Sequence, residues 1–138
     1  MTKDLWINLP VKDVKKAKEF FTKIGFVLNP QYGNSDHSAS FLVGDKKIVV
    51  MLFAESAFKD FTRNKIADAK QATEVLFSID AESRAEVDEL AKKAAKAGGT
   101  IFSEPGEHQG WMYGCGFADL DGHRWNVLYM DMSKMPKS

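Results

Sequence analysis

Two periodicities alternate along the chain. Residues 5 to 11 change character at every position, with Trp6 and Asn8 on one side and Leu5, Ile7 and Leu9 on the other, which predicts a strand with two unlike faces. Pro10 has no N–H to give to a ladder and marks the strand's end or an edge. The period then changes to that of a helix: Val14, Ala17, Phe20, Phe21 and Ile24 form one apolar stripe, Asp13 stands at the N-cap, and Gly25 follows as a C-terminal stop. Phe26 to Leu28 predicts a short strand, Asn29 to Ser35 a turn-rich stretch, and Ser38 to Val43 with Lys47 to Phe53 a hairpin around Gly44-Asp45.

Residues 54 to 72 carry no strand pattern, although Phe58 and Phe61 predict a helical turn, and a connection of this length favours a boundary. The same order then restarts. Thr73 to Asp80 alternates Val75, Phe77 and Ile79 against Glu74, Leu76 and Ser78. Ser83 with Glu86 makes a capping box for a helix bearing Val87, Leu90, Ala91 and Ala94 on one face, which Gly98-Gly99 ends. Strands are predicted over Thr100 to Ser103, Trp111 to Ala118 and Arg124 to Met130, the last two joined by a turn at Asp121-Gly122. The expected fold class is therefore α+β: one domain over residues 1–138, made of two βαβββ repeats at about 5–53 and 73–131 with a connector at 54–72.

Composition narrows the function. A length of 138 residues with 44% hydrophobic positions suits a single domain that needs no disulfide or structural metal to hold its core. Nineteen basic and nineteen acidic residues cancel, so no polyanion footprint is visible and no nucleic acid is expected as a partner. The single cysteine, Cys115, cannot form an intrachain disulfide. There is no signal-type apolar core at the N-terminus and no apolar run near the roughly 20 residues of a membrane helix, so a cytoplasmic location and no membrane partner are expected. A Gly-rich phosphate loop, a nucleophile elbow and a paired-cysteine motif are all absent.

The stretch Leu9-Pro10-Val11-Lys12-Asp13, the following helix with Phe20-Phe21 ending at Ile24-Gly25-Phe26, and the closing run from Phe117 to Asn126 with its Asp121-Gly122 turn resemble the vicinal-oxygen-chelate superfamily. Glyoxalase I, bleomycin-resistance proteins and extradiol dioxygenases are among its members. The resemblance covers Leu5 to about Asp131 and implies sheets curled into a half-barrel around a central cavity. It also implies a divalent metal held by one residue from each of four strands, and a homodimer. Laid over this chain, the four metal positions fall at Trp6 (or Asn8, if the register slips by two), Met51, Glu74 and Asn126. An indole donates but cannot ligate, a thioether is a poor partner for the metals concerned, and one carboxylate with one amide does not hold a divalent cation against water. The expectation is a member with no metal and no cofactor.

The candidates for chemistry are few. Glu74 is a general base if it faces an apolar cavity unpaired, and a structural group if a lysine or arginine pairs with it. His108, placed in a loop from Gly106 to Gly110, is a second candidate for proton transfer, while His37 and His123 read as exposed loop residues. Cys115 alternates with Tyr113 and Phe117 and reads as a buried, inert thiol. Trp6, Asn8, Met51, Glu74, Trp111, Tyr113 and Asn126 are the expected ligand-binding residues, with Trp125 on the face opposite Asn126. Together with the resemblance these imply binding of a small, partly aromatic molecule. Two alternatives stay open: a metal-dependent lyase of the lactoylglutathione-lyase type or a dioxygenase, and a cofactorless isomerase using Glu74 or His108.

Overall fold

A computed structural model of the chain describes residues 1–136. The chain divides into two compact units between Asp68 and Ala69. The first contains β1 (Trp6–Val11), α1 (Val14–Lys23), β2 (Val27–Leu28), β3 (Ser38–Val43), β4 (Ile48–Ala54) and α2 (Glu55–Thr62). Its sheet has the order β1-β4-β3-β2, with β1 parallel to β4 and the other pairs antiparallel. Asp13 starts α1 by accepting the Lys16 N–H at 3.0 Å. The apolar stripe of α1 is then buried through Val14, Ala17, Phe20 and Phe21. Leu9, Val11, Phe41, Val50 and Leu52 are buried on the facing side of the sheet, and the Phe21 and Phe41 rings meet at 5.8 Å. Burial of each such side chain contributes about 1.5–3 kcal/mol, so this ten-residue helix depends on its packing rather than on intrinsic propensity.

The second unit repeats the order: β5 (Leu76–Asp80), α3 (Arg84–Lys96), β6 (Thr100–His108), β7 (Met112–Ala118) and β8 (Arg124–Met130), arranged β5-β8-β7-β6, with a 3₁₀ turn after β8. Ser83 accepts the Glu86 N–H at 3.1 Å, and the Glu86 carboxylate reaches back to the Glu82 N–H at 3.0 Å. Val87, Ala91 and Ala94 of α3 are buried, as are Cys115, Phe117, Trp125 and Val127 of the sheet. Both units are therefore βαβββ, and the fold is α+β with two mixed four-stranded sheets. No helix among the described residues is long and apolar enough to cross a membrane.

Two predicted elements differ. The strand expected from Thr73 begins only at Leu76, because its partner β8 begins at Arg124, opposite Leu76, and residues 119–123 upstream are spent on a turn. The segment at Ala69-Lys70 instead lies against that turn, so close that a Cβ on Gly122 would stand 2.7 Å from the Lys70 backbone nitrogen. The strand expected to end at Ser103 continues to His108 as β6. Two register shifts interrupt its pairing with β7, which erases the period of two, and its place at the sheet edge tolerates Pro105.

The β7–β8 turn is organised by Asp119, which is 6% exposed. One carboxylate oxygen accepts the N–H groups of Asp121 and His123 at 3.0 Å each, and the other accepts the Trp125 indole N–H at 3.1 Å. Burial raises the carboxyl above the ordinary aspartate range, against the pull of His123 and of the donated hydrogen bonds. Removing it takes the Asp119 acceptor from three donors, one of them on the largest buried side chain of the unit. Asp119→Ala is expected to destabilise the protein by about 2–4 kcal/mol in urea unfolding, and Asp119→Asn by less; a loss under roughly 0.5 kcal/mol for the alanine variant would contradict this role.

Candidate functional site

In each unit the helix after the first strand, α1 or α3, covers one face of the sheet, and strand parity decides which side chains occupy the other, which in the first unit meets α2 through Phe53. In the first unit Asn8 of β1, Met51 of β4 and Ser40 of β3 are successive cross-strand partners and form one row on the face away from α1. Trp6 precedes Asn8 on that face, and Phe53 follows Met51. The loop between β2 and β3 folds onto the Ser40 end of the row. Asn29 donates from its amide to the Ser40 hydroxyl at 3.2 Å, and Asn34 accepts the Ser40 N–H at 3.1 Å. Gly33, at φ +90°, comes so near that a Cβ would lie 2.6 Å from Ser40 Cβ and 3.0 Å from Met51 Cε.

This loop delivers a residue that periodicity did not reveal. Tyr32 receives the Trp6 indole N–H on its hydroxyl at 2.9 Å, while both side chains stay open to solvent at 50% and 46%. The available signal was the cluster of turn formers Asn29, Pro30, Gly33 and Asn34, which marks a loop but not where it lands. Beyond Met51, Phe53 meets Phe61 of α2 edge to face at 5.0 Å, and Phe61 is itself largely exposed.

In the second unit the corresponding row is Ser78, Asn126 and Gly116, and the row beside it is Leu76, Arg124 and Ala118. Among the described residues the Gly116 position is met by a side chain rather than by a loop glycine. There, the Phe102 ring lies where a Gly116 side chain would be, 2.4 Å from an ideal Cβ. The Arg124 guanidinium rests over the same ring, with Cζ 4.3 Å from its centroid. Trp125 lies on the other face, as alternation requires, against Phe77 at 4.8 Å and Phe117 at 6.4 Å.

Several residues named from the sequence stand elsewhere. Tyr113 shares the parity of Cys115 and faces α3, donating its hydroxyl to Asp88 at 2.6 Å beneath the Arg84 guanidinium, so it is not beside Asn126. That hydrogen bond raises the Tyr113 pKa. Glu74 lies in a bend ahead of β5 rather than in the strand, exposed and without an ion pair among the described residues. His108 is the exposed last residue of β6, not a loop residue. Trp111 lies in the β6–β7 turn, not in β7, and its buried indole N–H has no partner among the described residues. Cys115 is 2% exposed, with its Sγ 4.0 Å from the Val87 carbonyl, and burial pushes the thiol up to about 11, leaving little thiolate at neutral pH.

The repeat also tests the metal positions implied by the resemblance. Trp6 and Leu76 stand equally far ahead of their helix N-caps, Asp13 and Ser83, and Met51 and Asn126 occupy the same place in their rows. The position taken for Glu74 therefore belongs to Leu76, and the four equivalent side chains are Trp, Met, Leu and Asn. The Trp6 N–H already donates to Tyr32, and among the described residues no group of three or more His, Cys, Asp or Glu is placed to hold a metal. These residues do not fit a divalent cation. An open depression at the end of α2, lined by Lys59, Asp60, Arg63, Asn64 and Lys65, includes none of the residues considered above.

Residues 5–127 match the family described as the Glyoxalase/Bleomycin resistance protein/Dioxygenase superfamily. Among solved structures, hypothetical protein SA1046 from S. aureus is 32% identical, with a TM-score of 0.81 over 93% of this chain and 94% of that one. A glyoxalase/bleomycin resistance protein/dioxygenase family enzyme from Burkholderia phytofirmans PsJN is 18% identical, with a TM-score of 0.76 over 91% and 98%. A glyoxalase-related enzyme from Fulvimarina pelagi is 15% identical, with a TM-score of 0.78 over 93% and 88%. The last two show likeness of fold alone. No curated protein matches the chain.

Proposed function

Since the chain belongs to the glyoxalase/bleomycin resistance protein/dioxygenase superfamily, we propose that it binds a small, partly aromatic molecule on the face of its first sheet away from α1, without the metal its resemblance implies. The observation that carries this reading is the Trp6–Tyr32 pair. Two large rings are held in a fixed relation by a 2.9 Å hydrogen bond yet left half open to water, beside the thioether of Met51 and the amide of Asn8. An indole whose N–H is already satisfied presents its face for stacking at little further entropic cost. Met51 adapts its shape to a ligand edge, and Asn8 supplies a donor and an acceptor.

Intrinsic tryptophan fluorescence, titrated with a broad set of aromatic metabolites and drugs, is expected to reveal saturable binders that survive dialysis against a chelator. Trp6→Ala should weaken them about tenfold or more, a loss of at least ~1.4 kcal/mol. Absence of any binder, or binders indifferent to both Trp6→Ala and Tyr32→Ala, would refute the reading. We also propose that the chain forms a homodimer, since Met130, Met132 and Met135 of the second unit leave apolar side chains exposed. Light scattering should return twice the 15.4 kDa chain mass, and a monomeric mass would refute it.

A further inference from the structure

On the helix-free face of the second unit four polar side chains, Ser78, Asp80, Arg124 and Asn126, have no hydrogen-bond partner among the described residues, and three of them stand together while Asp80 lies at the far end of β5. Arg124 and Asn126 are two apart on β8, and Ser78 is the cross-strand partner of Asn126 on β5. None of the three side chains makes a hydrogen bond or ion pair among the described residues, and the Arg124 Nε is buried without an acceptor. The cross-strand partners of Arg124 are Leu76 and Ala118, so no carboxylate stands opposite the charge. The guanidinium rests instead over the Phe102 ring, a contact that fixes the cation without neutralising it. Phe102 reaches this place because Gly116 offers no side chain to obstruct it.

We propose that Arg124, Asn126 and Ser78 form an oxyanion site that takes the carboxylate of a small molecule. A partly desolvated cation without a counter-charge favours an anionic guest, and the guanidinium fork matches a carboxylate in two hydrogen bonds. The Asn126 amide and Ser78 hydroxyl add neutral donors beside it. A single positive charge, with Asp80 two residues beyond Ser78 on β5, suits a monoanion better than a dianion such as phosphate. The inference rests on the second unit alone and does not need the stacking surface of the first.

The test titrates the whole protein with benzoate, with benzamide as its neutral isostere and with inorganic phosphate, by calorimetry and by the NMR resonance of the Arg124 Nε–H. Benzoate should bind saturably and move that resonance, and benzamide should not. Arg124→Gln should weaken benzoate about tenfold or more, and Arg124→Lys, which keeps the charge but loses the fork, by an intermediate factor. Should Arg124→Gln fail to fold, the wild-type Nε–H shift and the lysine variant still decide. No saturable benzoate binding, equal affinity in a folded Arg124→Gln protein, or preference for phosphate would overturn the proposal.

Discussion

In each half the first strand runs parallel to the last, and the helix that follows the first strand packs over one side of their sheet. This constraint governs the rest. It sends Leu9, Val11, Val50 and Leu52 to α1, and Cys115, Phe117, Trp125 and Val127 to α3, and leaves every alternate side chain on the opposite face. A side chain's position on β1, β4, β5, β7 or β8 thus settles whether it serves the core or faces outward. A shift of register by one would exchange the two sets and bury Asn8, Asn126 and Arg124 against a helix.

The repeats keep this frame and fill it differently. At matched positions the first half has Ser40 beneath a loop anchored by Asn29 and Asn34, while the second has Gly116 beneath the Phe102 ring. One device places Tyr32 against Trp6, and the other seats Arg124 over an aromatic face. The two faces opposite α1 and α3 therefore differ in chemistry although their topology is the same. The first is aromatic and sulfur-bearing, and the second is cationic and amide-bearing.

Much of the frame was legible in the sequence. The helical stripe from Val14 to Ile24 and the Ser83–Glu86 cap are strong local signals, and the structure starts both helices where those residues predict. Asn126 and Trp125 separated correctly because their strand alternates between unlike residues. Tyr113 went to the wrong face because Tyr113, Cys115 and Phe117 alternate with Met112, Gly114 and Gly116, none of them charged, so polarity gives no hint of which set meets α3. Glu74 was misplaced because alternation extends ahead of the strand, whereas pairing begins only where β8 provides a partner. Tyr32 and the Phe102–Arg124 contact depend on a loop's landing point and on an irregular edge strand, neither of which has a period to read.

Whether the faces opposite α1 and α3 receive the ligand is decided by intermolecular NOEs between a bound aromatic molecule and methyl-labelled protein. NOEs are expected to the Met51 methyl and to the Trp6 ring, with none to Val87 or Val127, which are buried on the α3 side of the second unit. NOEs confined to the faces covered by α1 and α3 would contradict this.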